Sequence, residues 1–312
     1  MDRPLSYELC AGAGGQALGL ARAGFHHVGL VDNDRSASLT LQDNRPGWHV
    51  QCGGIETISL TEHRKLDLLA GGLPCPPFSI AGKQLGKDDE RDLFPEAIRL
   101  IAEAEPKTVM IENVRGLLDP RFDEYRTHIL GRLVQLGYIG AFKLFNAAEF
   151  GVSQTRWRTV LVAMKPEYWI NFVWPEPTRR KPKAIGNLLF DLMGANGWKQ
   201  VDSWKSRANG IAPTIVGGLK KHRGPDLGPT RARKSWAELG VDGIGMANEP
   251  PESNFVGHPR LTPRMVAGVQ SFPDSRTFSG GKTAQCRQIG NAFPPPLAVG
   301  IGTQIKSALR CH

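Results

Sequence analysis

The stretch Gly71-Gly72-Leu73-Pro74-Cys75-Pro76-Pro77-Phe78-Ser79 restricts the fold more than any other part of the chain. It follows a compact, mostly apolar run over 66–70 that reads as a buried strand. Two glycines and three prolines then forbid a helix start and predict a tight loop. Cys75 is thereby expected on a rigid backbone just past the carboxyl end of a strand, which is where doubly wound sheets bind ligands. A thiol so placed is a candidate nucleophile, because the thiolate attacks well even when only a small fraction is ionised. A small buried hydrophobe is the other common use of a lone cysteine.

The chain before and after this loop alternates strand and helix. Residues 6–10 read as a short strand, followed by the glycine turn Ala11-Gly12-Ala13-Gly14-Gly15 and a helix over 16–23 that Gly24 closes. Such a turn lets the backbone approach a nucleotide-like ligand, although the spacing is not the full dinucleotide fingerprint. A second strand over 27–31 ends at Asp32-Asn33-Asp34, an acid placed for ribose hydroxyls. A third strand edge falls within 50–58 and the fourth strand is 66–70. An amphipathic helix over 93–104 stops at Pro106. The β-branched strand 108–111 then runs into Glu112-Asn113-Val114, so a carboxylate also sits at a strand's carboxyl end. A helix over 122–136 stops at Gly137. Strands over 140–146 and 159–164 flank Ser153-Gln154-Thr155-Arg156-Trp157-Arg158. This alternation predicts an α/β fold with a mostly parallel sheet and helices on both faces.

From about Phe172 the sequence becomes rich in proline and glycine, and a smaller, irregular second domain is expected. Thr262-Pro263 opens a helix within it, and 295–309 reads as the final helix. The expected division is a cofactor-binding catalytic domain over 1–172, completed by 288–312, and a recognition domain over 173–287.

Charge is concentrated in one place. The net charge is +9, yet residues 179–234 hold 13 Lys/Arg against three acids, while the remainder holds 26 against 27. A basic segment on a near-neutral body points to a polyanion, most simply nucleic acid. Five scattered cysteines with no CxxC pair indicate neither a zinc site nor a disulfide scaffold, and no metal is expected. There is no apolar run of ~18 residues and no signal-peptide core at the N-terminus, so a cytoplasmic protein is expected.

Six of these motifs, in this order, resemble those of DNA (cytosine-5) methyltransferases, which use S-adenosylmethionine. ELCAGAGG (8–15) resembles the family's cofactor loop, GGLPCPPFS (71–79) its catalytic Pro-Cys loop, and IENV (111–114) its Glu-Asn-Val motif. SQTRWR (153–158) is similar to Gln-x-Arg-x-Arg, and 260–275 and 288–298 to the two C-terminal motifs. Three departures stand out. Cys10 replaces a usual aromatic, Gly53-Gly54-Ile55 lacks an acid often found there, and Pro76 follows the cysteine where glutamine is commonest.

The resemblance implies a Rossmann-like S-adenosylmethionine-dependent methyltransferase sheet with a target-recognition domain. It implies that Cys75 adds to carbon 6 of a flipped cytosine, that Glu112 hydrogen-bonds the base, and that Arg156 and Arg158 supply fixed positive charge to the nucleotide and the thiolate. The implied cofactor contacts are Cys10, Ala11, Gly12, Gly14, Gly15, Asp32, Asn33, Ile55, Pro74, Leu93, Asn291 and Ala292. The implied DNA contacts are Ser79, Lys83, Gln84 and Arg91 after the catalytic cysteine, then Thr214, Ile215, Lys220, Lys221, His222, Arg223, Arg231 and Arg233. The expected partner is double-stranded DNA, met as a monomer, with a cognate restriction endonuclease as a further partner. Three alternatives stand beside this one: an RNA cytosine-5 methyltransferase on the same scaffold, a catalytically silent DNA-binding homologue, and a nicotinamide-dependent oxidoreductase. Intact Cys75, Glu112, Arg156 and Arg158 argue against the second, and the incomplete dinucleotide fingerprint against the third.

Overall fold

A computed structural model describes residues 3–74, 92–217 and 225–311. Cys75 and the loop after it therefore lie outside the described residues, as does 218–224. The chain divides into two compact units. The first comprises Met1–Phe145, Trp157–Glu176 and Leu297–His312; the second comprises Asn146–Arg156 and Pro177–Pro296. Relative to the expected boundaries, residues 146–156 and 288–296 group with the second unit.

The first unit is built on a seven-stranded sheet. Its strands are β1 (Leu5–Leu9), β2 (His26–Asp32), β3 (Val50–Cys52), β4 (Leu68–Gly72), β5 (Thr108–Val114), β6 (Ile139–Asn146) and β7 (Trp157–Met164), in the order β3-β2-β1-β4-β5-β7-β6. β1 lies between β2 and β4, parallel to both, and β4 pairs in parallel with β5, with Gly72 opposite Glu112. Residues 68–71 are buried, as expected for a central strand covered on both faces. The sheet is mostly parallel, as expected, with β7 as an exception. β7 runs antiparallel to β5, so its first residues meet the last of β5: Arg158 lies opposite Val114 and Val160 opposite Glu112.

Helix α1 (Gly15–Ala23) ends at Gly24, whose φ of 102° and N–H bonds to the Ala21 and Leu20 carbonyls close the helix as its sequence predicts. Helix α2 (Arg35–Asn44) was not expected. Asp34 caps it, its carboxylate accepting from Ser36 N at 2.9 Å and Ala37 N at 3.3 Å. Helices α3 (Phe94–Ala104), α4 (Asp123–Gln135) and the single turn α5 (Pro166–Trp169) complete the run. The main core joins Leu9, Val31, Leu69, Ile111 and Leu161 of the sheet to Ile98 and Ile101 of α3 and Leu133 of α4.

The second unit contains α6 (Ile185–Met193), α7 (Val201–Arg207), α8 (Thr230–Glu238), α9 (Pro263–Val269) and α10 (Lys282–Asn291). It is more helical than its proline content suggests, and it buries three tryptophans, Trp198, Trp204 and Trp236, with Ile185 and Leu189. Thr262 caps α9 through its hydroxyl, which accepts from Met265 N at 3.3 Å, as the Thr-Pro pair predicts. The chain then returns through α11 (Pro295–Arg310) to the first unit, where Lys306 Nζ donates to Ala23 O at 3.0 Å. Among the described residues no helix is long and apolar enough to cross a membrane.

β2 carries a buried histidine beneath α1. His27 Nε2 donates to Ala17 O at 2.8 Å, which leaves Nδ1 to accept from the Ser6 hydroxyl at 2.9 Å. Burial lowers its pKa from 6.5 to about 4, only partly offset by the bond to Ala17. The folded state thus refuses a proton that the unfolded chain takes up below 6.5. Stability present above pH 6.5 is lost as pH falls toward 4, by about 3 kcal/mol from this group. Buried Glu8, pushed well above its ordinary value by desolvation, acts in the opposite sense. Replacement His27→Gln is therefore expected to cut the acid slope of stability between pH 6.5 and 4 by about one proton relative to wild type. Denaturant midpoints across that range read this directly, and an unchanged slope removes His27 as its source.

Candidate active site

The glycine loop leaves β1 through Cys10, which holds a left-handed φ of 49°, and continues through Gly12 at 53° and Gly14 at 73°. No Cβ built on Gly12 comes within 4 Å of another atom, so the space over that residue is open. Gly14 forms the N-cap of α1 without any side-chain bond, which leaves the first turn's N–H groups suited to an anionic group. Ala11 and Gly15 are buried and Gly12 is half-buried, so backbone rather than side chain faces outward.

Asp32 stands at the end of β2 beside this loop. Its Oδ2 accepts from Gly12 N at 2.7 Å and its Oδ1 from Asp34 N at 2.8 Å. The carboxylate therefore fixes the loop's path, a role the sequence reading did not assign it. Asn33 next to it is exposed. Open backbone, an uncapped helix N-terminus and an acid with an exposed amide beside it suit the ribose and the amino-acid end of S-adenosylmethionine. Of the other expected cofactor contacts, Ile55 is buried in the main core and Leu93 is packed half-buried against it. Pro74 is exposed at the end of the described segment.

The neighbouring strands β4, β5 and β7 assemble a charged pair. Arg158 Nε lies 2.6 Å from Glu112 Oε1, with both side chains about nine-tenths shielded from solvent. Arg158 Nη1 also donates to Trp157 O at 2.9 Å. The carboxylate packs over Gly72, where a Cβ would sit 3.3 Å from Glu112 Oε2. Gly71 is equally hemmed in, its missing Cβ lying 3.1 Å from Leu9 O. The glycine pair thus gives Glu112 room beside the strand that leads to Cys75. Buried Asn113 reaches the Leu73 carbonyl at 3.5 Å and so touches the same approach.

Arg156 is not part of this pair. It belongs to the second unit and is fully buried. Nη1 donates to Ile215 O at 2.8 Å, and Nη2 donates to Gly290 O at 2.6 Å and Ala292 O at 3.0 Å. The expectation that it offers charge to a nucleotide is corrected: its Nη groups donate to backbone carbonyls, including those ending α10, and to Gln154 Oε1. The cause is burial, since a guanidinium away from water must find acceptors.

Two of the implied DNA contacts, Ile215 and Thr214, are held within the unit. Ile215 is completely buried, and its N–H and C=O are held by Gln154 and Arg156. Thr214 is half-buried and its hydroxyl donates to Thr155 O at 2.6 Å. Arg233 on α8 leans toward Asp226, Nη1 to Oδ2 at 3.9 Å, and donates to the Thr230 hydroxyl at 3.1 Å. Arg231 on the same helix is exposed, as is Asn291 at the end of α10, whereas Ala292 is buried. The calls on Cys75, Ser79, Lys83, Gln84, Arg91, Lys220, Lys221, His222 and Arg223 lie outside the described residues.

Sequence reasoning also passed over two polar residues. Glu8 sits fully buried in β1 beneath α1, and Gln270 is fully buried at the end of α9. Each was visible as a lone polar residue among apolar neighbours, a pattern that demands a buried partner.

The contrast between the two arginines is testable. Arg156→Met removes the Arg156 donor from the Ile215 and Gly290 carbonyls and is expected to cost about 3 kcal/mol or more of stability. Arg158→Met is expected to lower turnover at least 100-fold in whatever folded fraction remains. Thermal melting and single-turnover rates on the same preparations separate the two, and an Arg156→Met protein that melts like wild type contradicts the assignment.

Residues 6–307 match the family model described as C-5 cytosine-specific DNA methylase. The chain is 53% identical over 309 residues to the Type II methyltransferase M.NgoMIV of Neisseria gonorrhoeae, covering 98% of each. It is 52% identical to the Type II methyltransferase M.NaeI of Lentzea aerocolonigenes over 97% of this chain and 74% of that one. Among solved structures, the Entamoeba histolytica methyltransferase EhMeth shares the fold with a TM-score of 0.68 at 15% identity, each chain being covered to 99%. The seven-stranded sheet, the glycine loop and the buried Glu112–Arg158 pair thus belong to an enzyme, a DNA (cytosine-5) methyltransferase, and the chain is a member of the C-5 cytosine-specific DNA methylase family.

Proposed function

We propose that the enzyme methylates carbon 5 of a cytosine flipped out of duplex DNA, at a sequence read by the second unit, and that it uses S-adenosylmethionine. The observation that carries the reading is the Glu112–Arg158 pair, set beside the strand that leads to Cys75. The glycine loop, Asp32 and Asn33 hold the cofactor, and Cys10 stands where an aromatic neighbour to the adenine is usual. When bound, S-adenosylmethionine supplies an electrophilic methyl group.

The rest of the chemistry falls to the chain. Carbon 5 of cytosine is a poor nucleophile. Addition of the Cys75 thiolate to carbon 6 breaks the ring's aromaticity and makes carbon 5 enamine-like. Glu112 accepts from the amino group of the base and shares a proton with its N3, and Arg158 fixes its direction, so charge developing on the ring meets a preorganised partner. Loss of the carbon 5 proton expels the thiol and frees Cys75. A base inside a duplex hides carbon 6, so the target must be extruded at a cost of a few kcal/mol.

The Type II names of the relatives support a place in a restriction-modification system, with a cognate endonuclease reading the same sequence. The enzyme acts in the cytoplasm, as a monomer on DNA. It is expected that Cys75→Ala abolishes methylation while leaving DNA binding largely intact, and that wild type forms a covalent adduct with DNA carrying 5-fluorocytosine. Methylation that survives Cys75→Ala ends the mechanism.

The basic segment divides into two kinds of contact. Arg231 is exposed on α8 and suits the reading of a base edge, a bidentate contact giving about 1–3 kcal/mol of discrimination. Arg179 and Arg180 are exposed near the start of the second unit and suit phosphate. Arg231→Ala is therefore expected to relax preference at one base. Arg179→Ala or Arg180→Ala is expected to weaken binding evenly and to flatten the salt slope by about 0.9. Methylation of a randomised duplex library at two salt concentrations reads both, and a uniform loss over all sequences in all three variants removes Arg231 as a reader.

A further inference from the structure

In the first unit, the parallel strands β1, β2 and β3 end side by side, Leu9 opposite Val31 and Asp32 opposite Cys52. Cys10 and the glycine loop follow β1. Gly53-Gly54-Ile55 follows β3, with Gly53 N donating to Asp32 O at 2.9 Å. The chain then makes one tight helical turn, Ile55–Thr57. Thr57 closes it, its N–H and its hydroxyl both donating to Gly54 O, at 3.1 and 2.8 Å. Helix α3 pins it from outside. Arg99 Nη2 donates to Ile55 O at 3.2 Å and Ile58 O at 3.1 Å, and Glu103 accepts from Leu60 N at 2.8 Å. The Ile55 side chain is buried in the core. The turn is thus held on every side, and what it carries outward has a fixed base.

What it carries is Glu56, exposed, with its carboxylate folded back over Gly54. A Cβ built on Gly54 would collide with that carboxylate, which fills the volume any side chain at 54 would need. The backbone does not require a glycine there, since a φ of −79° is open to every residue. The glycine gives room to Glu56. The carboxylate makes no hydrogen bond among the described residues. Asp32, by contrast, already accepts from Gly12 N and Asp34 N. Cys10 lies within the field of both. Burial pushes its thiol pKa far up, and the charges of Asp32, Glu56 and Glu8 add to the shift, in that order.

We propose that Glu56 selects adenine in the cofactor, its carboxylate accepting from the exocyclic amino group. The proposal rests on the reading of Cys10 as the residue beside the adenine ring. An amino group brought out of water must find an acceptor, and an ionised carboxylate is acceptor-only. A purine with oxygen in place of that amino group turns lone pairs toward Glu56, so it loses the bond and gains a repulsion. The acid missing from Gly53-Gly54-Ile55 is thus supplied by the following turn, and Gly54 is the gap through which it reaches.

The test uses the full chain and two probes that do not turn over, S-adenosylhomocysteine and its analogue with hypoxanthine in place of adenine. Calorimetry gives the affinity of each. Wild type is expected to prefer the adenine probe by about 10- to 150-fold, the worth of one hydrogen bond to a charged group. Glu56→Gln, isosteric at an exposed position, keeps the fold and is expected to bring that preference below about 3-fold. Its amide can accept from the amino group or donate to the oxygen. Gly54→Ala keeps the charge of Glu56 but displaces its carboxylate, and is expected to reduce the preference to the same level. A residue that only shapes the turn would change the melting temperature and leave the preference intact, and an intact preference in both variants overturns the proposal. A wild-type preference near one also overturns it. Wild type that binds neither probe shows instead that the reading of the cofactor is wrong, and the proposal falls with it.

Discussion

A carboxylate and a guanidinium 2.6 Å apart, both largely removed from water, offset part of each other's cost of burial. The first unit is arranged to bring Glu112 and Arg158 to that distance. The direction of β7 is what makes it possible. Glu112 lies toward the carboxyl end of β5, where doubly wound sheets gather their ligands. Because β7 runs antiparallel, its beginning rather than its end arrives there, and Arg158 is its second residue. A parallel β7 would bring the neighbourhood of Met164 to the same place. On the other side, Gly72 leaves room for the carboxylate on the strand that leads to Cys75.

Much of this was legible in the sequence, for local reasons. The strand–glycine–helix opening, the stop at Gly24 and the Thr262 cap are all written in the residues that perform them. The direction of β7 is not, since a strand's own residues carry no sign of which neighbour it pairs with or which way it runs. Helix α2 escaped for a different reason. Two of its inward positions are Ser38 and Thr40, buried at 2% and 0%, so no apolar stripe marks it. The Ser38 hydroxyl finds an acceptor in the backbone of 32–34 and so tolerates its burial.

The two arginines of the 153–158 motif show where local reading must stop. Arg156 and Arg158 are the same residue type, two positions apart, in one motif. One pairs with Glu112 and the other is absorbed by the carbonyls of Ile215, Gly290 and Ala292. The difference lies in partners distant in sequence, Glu112 upstream for Arg158 and Ile215, Gly290 and Ala292 downstream for Arg156, which no local spacing reveals. Ile215 shows the same limit, since it is completely buried and its backbone is held by Gln154 and Arg156.

The buried knot around Arg156 poses a question of physical purpose. Apolar side chains of similar volume in its place would hold the unit together as well or better, because buried polar networks seldom add net stability over good packing. Nor is the second unit short of apolar material, with Trp198, Trp204 and Trp236 in its interior. Hydrophobic contact, however, is non-directional and tolerates sliding. Hydrogen bonds do not, since they weaken steeply outside a narrow range of distance and angle. A chain of them from Gln154 through Gln270 to Ala292, beside a backbone contact that excludes even a methyl group, fixes segment 215–217 against the end of α10 in one register. The tryptophans supply the cohesion of the unit, and the knot supplies its alignment. Alignment is what a recognition segment requires when a base must be presented in one orientation.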